Sequence, residues 1–380
     1  MKKLFYFGIL FLFLFEIANV YFIMPMPGSQ EMNSLGIAYF LYSWRWFFRI
    51  VFVLMILAGT MQAFQSSKWL PAAALLIVGA LAYGSNYKMA ADSMFLQAVS
   101  LHFKGKSTNV VSPDRLVLGV IHKGQAKAYP IQFIGYHHQV RDSLGGLPIM
   151  VTYCTVCRTG RVFEPLVNGK TEDFRLVGMD HFNAMFEDKS TRSWWRQATG
   201  EAVTGTLKGQ KLPEFPSIQT TLDKWIELYP NTLIMQPDKN FTAKYESMSK
   251  YESGQSKSKL TLRDKGSWHP KSWVIGVIVG TESTAYDWNR LQKERIIYDK
   301  IGGLPISVIL AKDNNSFVAL ERSADDQVFS LSNDTLISGE DHYNFIGKSL
   351  DNNKPDLKKL NAYQEYWHSW QIFHPLTKKQ

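Results

Sequence analysis

The segment VLGVIHKGQAKAYPIQFIGYHHQVRDSLGGLPIMV, Val117–Val151, lies without a gap on VIGVIVGTESTAYDWNRLQKERIIYDKIGGLPISV, Val274–Val308, at a constant shift of 157. Thirteen of the 35 positions are identical, where unrelated sequence gives about two. The identities include Gly119 with Gly276, Ala128-Tyr129 with Ala285-Tyr286, Asp142 with Asp299, and the GGLP turns Gly145–Pro148 and Gly302–Pro305. Both units also close alike, Trp225 to Thr232 (WIELYPNT) echoing Trp370 to Thr377 (WQIFHPLT), and the second is shorter in its middle. Each opens with short β-rich runs around turn residues, LVLGVIH then QAKAYPI and SWVIGVIV then STAYDW, which reads as a hairpin. A short helical segment, a GGLP turn, apolar strands (PIMVTYC and GRVFEPLV; PISVILA and SFVALER) and a short amphipathic helix follow. The expected class is α+β, with two homologous, mainly antiparallel β-rich lobes over 85–242 and 267–380. Residues 243–266 between them are Ser- and Lys-rich and nearly free of aliphatics, the composition of a polar linker or surface loop.

Working outward from the repeat, residues 1–84 read as a membrane anchor with three candidate transmembrane helices. Leu4 to Met24 is apolar except for Glu16 and Asn19 and long enough for roughly 30 Å of hydrocarbon. It follows Lys2-Lys3 like a signal peptide, but no small-x-small site comes after it, so it is expected to be retained. Ile50 to Phe64, preceded by Trp44, Arg45, Trp46 and Arg49, is the second run, and Trp69 to Tyr83 is the third. The link Ser66–Lys68 makes the last two an antiparallel hairpin. Three crossings put the lobes on the side opposite the N-terminus, and the expectation is an extracytoplasmic C-terminal domain.

At 380 residues and 46% hydrophobic the chain can bury a large core, which excludes disorder. A net charge of +9 suits an anionic membrane surface, and with no arginine-rich run no nucleic acid is expected. The expected partners are the lipid bilayer and a membrane or periplasmic protein. No G-x-S-x-G elbow, Walker loop, G-x-G-x-x-G or H-E-x-x-H is present, which removes support for hydrolase, nucleotide and dehydrogenase readings.

The chain has two cysteines, and they form one C-x-x-C, Cys154 and Cys157. Opposite them the second repeat has Ala311 and Asn314, and opposite His137 and His138 it has Glu294 and Arg295. The fold thus tolerates losing all four groups, which points to one site, in the first lobe. Two thiolates with an imidazole from His137 or His138 suit a soft metal, copper before zinc, and His181 in GMDHFN is a further candidate ligand. A C-x-x-C pair also cycles between dithiol and disulfide, which makes a thiol–disulfide oxidoreductase the first alternative. A non-catalytic assembly module stapled by a structural disulfide is the second.

The residues VTYCTVCRTGRVF, Val151–Phe163, resemble the TYCPLCxTGxVF hallmark of the domain-of-unknown-function 3179 family. Upstream, AYPIQFIGYHHQVRDSLGGLPIMV follows the family's pattern with its histidine on His137. Downstream, Asn183, Trp195, Gln197, Gly200 and Glu201 fall in register. Thr155 replaces the usual proline, His138 a glutamate and Arg141 an asparagine. The resemblance, over roughly residues 105–380, implies the fold and an extracytoplasmic tendency, and no established reaction.

Overall fold

The computed structural model describes residues 1–351 and 353–380. It divides into two compact units, one of Met1–Leu96, Glu172–Arg196 and Glu201–Lys211, the other of Gln97–Thr171, Gln197–Gly200 and Leu212–Gln380.

The first unit is built on four helices, α1 (Lys2–Tyr21), α2 (Leu35–Ser43), α3 (Arg45–Ser66) and α4 (Trp69–Tyr83), the last running on into a π-helical turn, Gly84–Lys88. Three helical segments, Lys2–Tyr21, Arg45–Ser66 and Trp69–Lys88, are long and apolar enough to cross a membrane. The second and third are longer than their clean apolar runs. Their extra turns are helical because the polar groups there find partners inside the bundle: Arg49 Nε and Nη2 donate to the Glu16 carboxylate at 2.7 and 2.9 Å, and Asn86 bridges the two, accepting from Arg49 at 2.7 Å and donating to Glu16 at 2.9 Å. Pairing of this kind offsets the cost of burying such groups. The unit also holds an antiparallel sheet of Phe174–Asp180, Asn183–Asp188, Trp194–Arg196 and Ala202–Thr204. These strands fall within the 85–242 range expected for the first lobe but group with the helices. Their apolar residues Val177, Met185, Trp194 and Val203 are buried with Ala38, and Tyr39 and Tyr42 of α2 pack against them.

In the second unit one element order occurs twice. A hairpin of Leu116–His122 and Gln125–Pro130 leads through the helix Ile131–His137 into an antiparallel meander of Gln139–Leu144, Leu147–Cys154 and Thr159–Phe163. The strand Ser217–Thr221 returns to pair with Leu116–His122, and after the helix Leu222–Leu228 the strand Leu233–Met235 lies parallel to Gln125–Pro130. Later in the chain the same path is taken by Trp273–Val279, Glu282–Asp287, helix Trp288–Glu294, Ile296–Ile301, Leu304–Leu310 and Phe317–Glu321. It closes with Ala362–Tyr366, helix Trp367–Phe373 and Lys378–Lys379.

The residues shared by the two stretches make the same contacts. A Cβ on Gly119 would lie 2.2 Å from the Trp225 ring, and one on Gly276 2.2 Å from that of Trp370. The two indole N–H groups donate to Thr232 at 2.8 Å and Thr377 at 2.9 Å. Tyr129 donates to Asp142 at 2.6 Å, and Tyr286 to Asp299 at 2.8 Å. Both hairpin helices end in a left-handed residue, His138 (φ 61°) and Arg295 (φ 69°), whose carbonyls accept from Tyr153 and Leu310. His138 therefore occupies a helix-terminating position that the second stretch fills with a different side chain.

Residues 243–266, expected from composition to be a polar linker or surface loop, bury Tyr245, Tyr251 and Glu252. The segment's other residues are exposed or half-buried, and these three side chains anchor it.

Candidate functional site

Cys154 ends the strand Leu147–Cys154 and pairs with Thr159, so Thr155–Arg158 is a four-residue hairpin turn. Arg158 closes it at φ 57°. No disulfide joins the two cysteines, and both are completely buried. The Cys157 thiol is in hydrogen-bonding contact with that of Cys154 and with the Ser369 hydroxyl. Burial, and then the neighbouring thiol, push Cys157 well above the ordinary thiol range, and Ser369 and the Lys271 ammonium offset this only in part.

The second repeat supplies the walls. Lys271 Nζ donates to the carbonyls of Val156 and Leu260 at 2.7 and 2.6 Å and lies 3.1 Å from His368 Nε2. Burial lowers the Lys271 ammonium to about 8, against the pull of the two thiols. His368, buried beside that cation, is lowered to about 3 and is a neutral imidazole at physiological pH. The Tyr366 amide donates to the Cys157 carbonyl at 2.9 Å, and Ser369 Oγ lies 3.5 Å from Thr159 Oγ1. Arg158 stacks 3.8 Å over the Trp273 ring and donates to Gln364 Oε1 at 2.8 Å and the Glu252 carbonyl at 3.0 Å. Arg161 donates to Glu365 at 2.6 Å, and Glu365 accepts from Ser369 at 2.9 Å. Tyr251 covers the turn, its hydroxyl donating to the Thr155 carbonyl at 3.0 Å.

The arrangement is reciprocal. The turn of the second repeat, at Ala311–Ser316, is capped by the first repeat's closing strand: the Thr221 amide donates to Ser316 Oγ at 2.9 Å and its hydroxyl to Asp313 at 2.8 Å. Each turn is thus held by the other repeat. In one the contacts are hydroxyls and a carboxylate; in the other, two thiols under a lysine.

The five expected metal ligands are distributed as follows. Cys154 and Cys157 touch. His137 Nε2 bonds the Tyr245 hydroxyl at 2.7 Å inside an aromatic box with Tyr136 and Phe241. His138 Nδ1 lies 3.1 Å from the Tyr136 carbonyl, and burial lowers its pKa to about 4. His181 belongs to the other compact unit, in the turn between Asp180 and Asn183, where its Nδ1 bonds Asp180 at 2.7 Å. Among the described residues, no group of three or more His, Cys, Asp or Glu side chains is placed to hold a metal ion.

Lys271, His368 and Ser369 are site residues that the C-x-x-C motif did not flag. A signal was present in the closing echo, where His368 and Ser369 stand opposite Asp223 and Lys224 of the first repeat. The two closing helices differ where the two turns differ.

Glu252 gives the site region a pH signature. One carboxyl oxygen accepts from the Leu116 amide at 3.1 Å, the other is buried without a hydrogen-bond partner among the described residues, and burial outweighs Arg115 at 3.8 Å to raise the pKa to about 7. The folded chain holds this proton more tightly than the unfolded chain does. Its stabilising contribution is therefore present below the ordinary glutamate range and is lost as pH rises through about 7, amounting to about 3 kcal/mol at most. Urea unfolding of wild type and Glu252→Gln should differ in slope between about pH 5 and about pH 8, the variant losing less. Parallel profiles would refute the assignment. His138 and His368 destabilise only on acidification and act equally in both proteins.

A family model described as Protein of unknown function (DUF3179) matches residues 99–377. No curated protein and no solved structure matches the chain.

Proposed function

The chain belongs to the DUF3179 family, proteins of unknown function, and from that premise we propose that it is a membrane-anchored thiol–disulfide exchange protein reacting through Cys154 and Cys157. One observation carries the reading: the only two cysteines in the chain are not joined by a disulfide, are in contact, shielded from water and next to a buried lysine. A cation in a water-poor site is the group that stabilises a thiolate, and a lysine lowered to about 8 is partly neutral at working pH, able to accept the thiol proton. Cys157, held as a neutral thiol at rest, suits the resolving role, which leaves Cys154 to attack. Once the Tyr251 cover moves off the turn, the Cys154 thiol passes its proton to Lys271 and its sulfur displaces one half of a partner's disulfide, which leaves as a thiol carrying that proton. Cys157 then attacks the mixed disulfide, the second half leaves as a thiol, and the Cys154–Cys157 bond holds the two-electron oxidation. The partner class is a disulfide-bearing membrane or extracytoplasmic protein, in keeping with the compartments where disulfides persist. The two repeats are read as copies of one ancestral unit, of which the second now walls the site of the first.

Poising the detergent-solubilised full chain in glutathione or dithiothreitol buffers and counting alkylated thiols by mass tests this. The expected result is one reversible disulfide with a midpoint between about −300 and −120 mV, and slower alkylation at neutral pH in Lys271→Met. A bond that forms but resists every buffer would make the pair a structural staple in an assembly module. A second reading rests on the donor set: two adjacent thiols are the soft pair that selects copper(I), whereas zinc lacks a third ligand among the described residues. Stoichiometric copper(I) retained against a chelator, and lost in Cys154→Ser, would favour it over exchange.

A further inference from the structure

A cavity of about 570 Å³ in the first unit has no part in the cysteine site. Its wall is formed where three membrane-length helical segments end on one side: Asn19, Val20 and Ile23 at the end of α1, Arg45 at the start of α3, and Ser85 to Asp92 at and beyond the π-helical turn. The edge strand Phe174–Asp180 and the loop to Arg192 complete it. The aromatic residues Trp44, Trp46, Tyr83 and Tyr87 are exposed or half-buried at the same helix ends, as side chains at a membrane–water interface are.

The lining divides by chemistry. Val20, Ile23, Met24 and Met89 give one apolar side. On the other, the carboxylates already have cations: Glu187 and Asp92 hold Arg175 at 2.8 and 3.0 Å, and Asp173 lies 3.7 Å from Lys189. Among the described residues, Arg45 and Arg192 have no carboxylate within ion-pair distance. Arg45 donates to the Tyr42 carbonyl and stacks 3.9 Å over its ring, and Arg192 is exposed. Asn19 Oδ1, on the cavity wall, is buried with no hydrogen-bond partner among the described residues. As an acceptor it needs a donor, which a hydroxyl on the ligand's head group would supply.

We infer that this cavity binds an anionic amphiphile, a phosphate-bearing lipid whose head group meets Arg45 and Arg192 and whose first methylenes lie on the apolar side. The excess of cations sets the sign of the head group, and the cavity's place at the ends of the membrane-length helices sets the amphiphile.

The test uses the full chain purified in neutral detergent, exposed to phosphatidylglycerol or phosphatidylcholine and analysed by native mass spectrometry. One phosphatidylglycerol per chain should be retained, and phosphatidylcholine should not. Retention should fall about fivefold in Arg45→Gln or Arg192→Gln and about thirtyfold in the double variant, while Lys208→Gln, an exposed charge of the same unit outside the cavity, leaves it unchanged. Arg192→Gln lies on the surface and keeps the test alive should Arg45→Gln misfold. Asn19→Leu, which removes the amide but no charge, should also weaken retention. Equal retention of the two lipids, or undiminished retention in Arg192→Gln and Asn19→Leu, overturns the proposal. So does inorganic phosphate displacing the lipid at equal concentration, because the apolar side would then contribute nothing.

Discussion

Replacing Gly119 by alanine should destabilise the protein by about 3 kcal/mol or more, a large effect for one added methyl group. The reason is the 2.2 Å between that methyl carbon and the Trp225 ring, which cannot retreat. Trp225 is completely buried, its indole N–H is fixed to Thr232, and its ring packs 4.5 Å from that of Tyr229. Strand Leu116–His122 is buried along most of its length and paired on both sides, so the backbone cannot yield either. Gly276→Ala should cost nearly the same, because Trp370 stands in the same relation to it, with its N–H on Thr377. Urea unfolding should show a lowered midpoint at unchanged slope in both variants. Gly119→Ala with Trp225→Phe should cost less than the two single changes added together, since the smaller ring leaves room for the methyl. A loss below about 1 kcal/mol in either glycine variant would mean that the close approach of ring and strand is wrong.

Arg161→Met should cost about 3–5 kcal/mol, the penalty for leaving a buried charge without its partner. Arg161 and Glu365 are both almost completely buried, 2.6 Å apart, and belong to different repeats. The guanidinium also stacks 3.4 Å over the Tyr363 ring, leaving water little access to the pair. Once Arg161 is removed, Glu365 keeps only the Ser369 hydroxyl among the described side chains bonded to it, and Ser369 is a residue that touches Cys157. The damage should therefore reach the thiols, seen as faster alkylation of Cys157 in the folded protein. Adding Glu365→Leu should restore most of the lost stability, with a coupling of about 3 kcal/mol or more, because the orphaned carboxylate is then gone. Additive losses in that cycle would show that the two side chains do not depend on each other.

Both effects bear on how far the fold can be read from residues alone. The repeat at a shift of 157 exposed the twice-used element order, because a strand glycine under a tryptophan and a tyrosine on an aspartate are local demands that leave identical residues in both copies. The three apolar runs gave the membrane-length helices for the same reason, since the requirement falls on each segment separately. What stayed hidden was the company each side chain keeps. His137 and His138 are near the cysteines in sequence, yet one is boxed by Tyr245 and the other ends a helix. Lys271 and His368, more than a hundred residues away, stand over the turn that carries the cysteines. The strands of 172–211 fall inside the first repeat's range but fold with the helices.

The chain by itself determined its membrane-length helices, the twice-used element order of its α+β framework and the confinement of its cysteines to one turn, because periodicity, turn residues and cysteine count act over short stretches. The tertiary structure decided that the two thiols are sealed by the opposite repeat beneath a lysine, and that the histidines serve other contacts. Those outcomes follow from two repeats exchanging caps across a buried contact, and a contact between distant residues leaves no spacing in the sequence from which to read it.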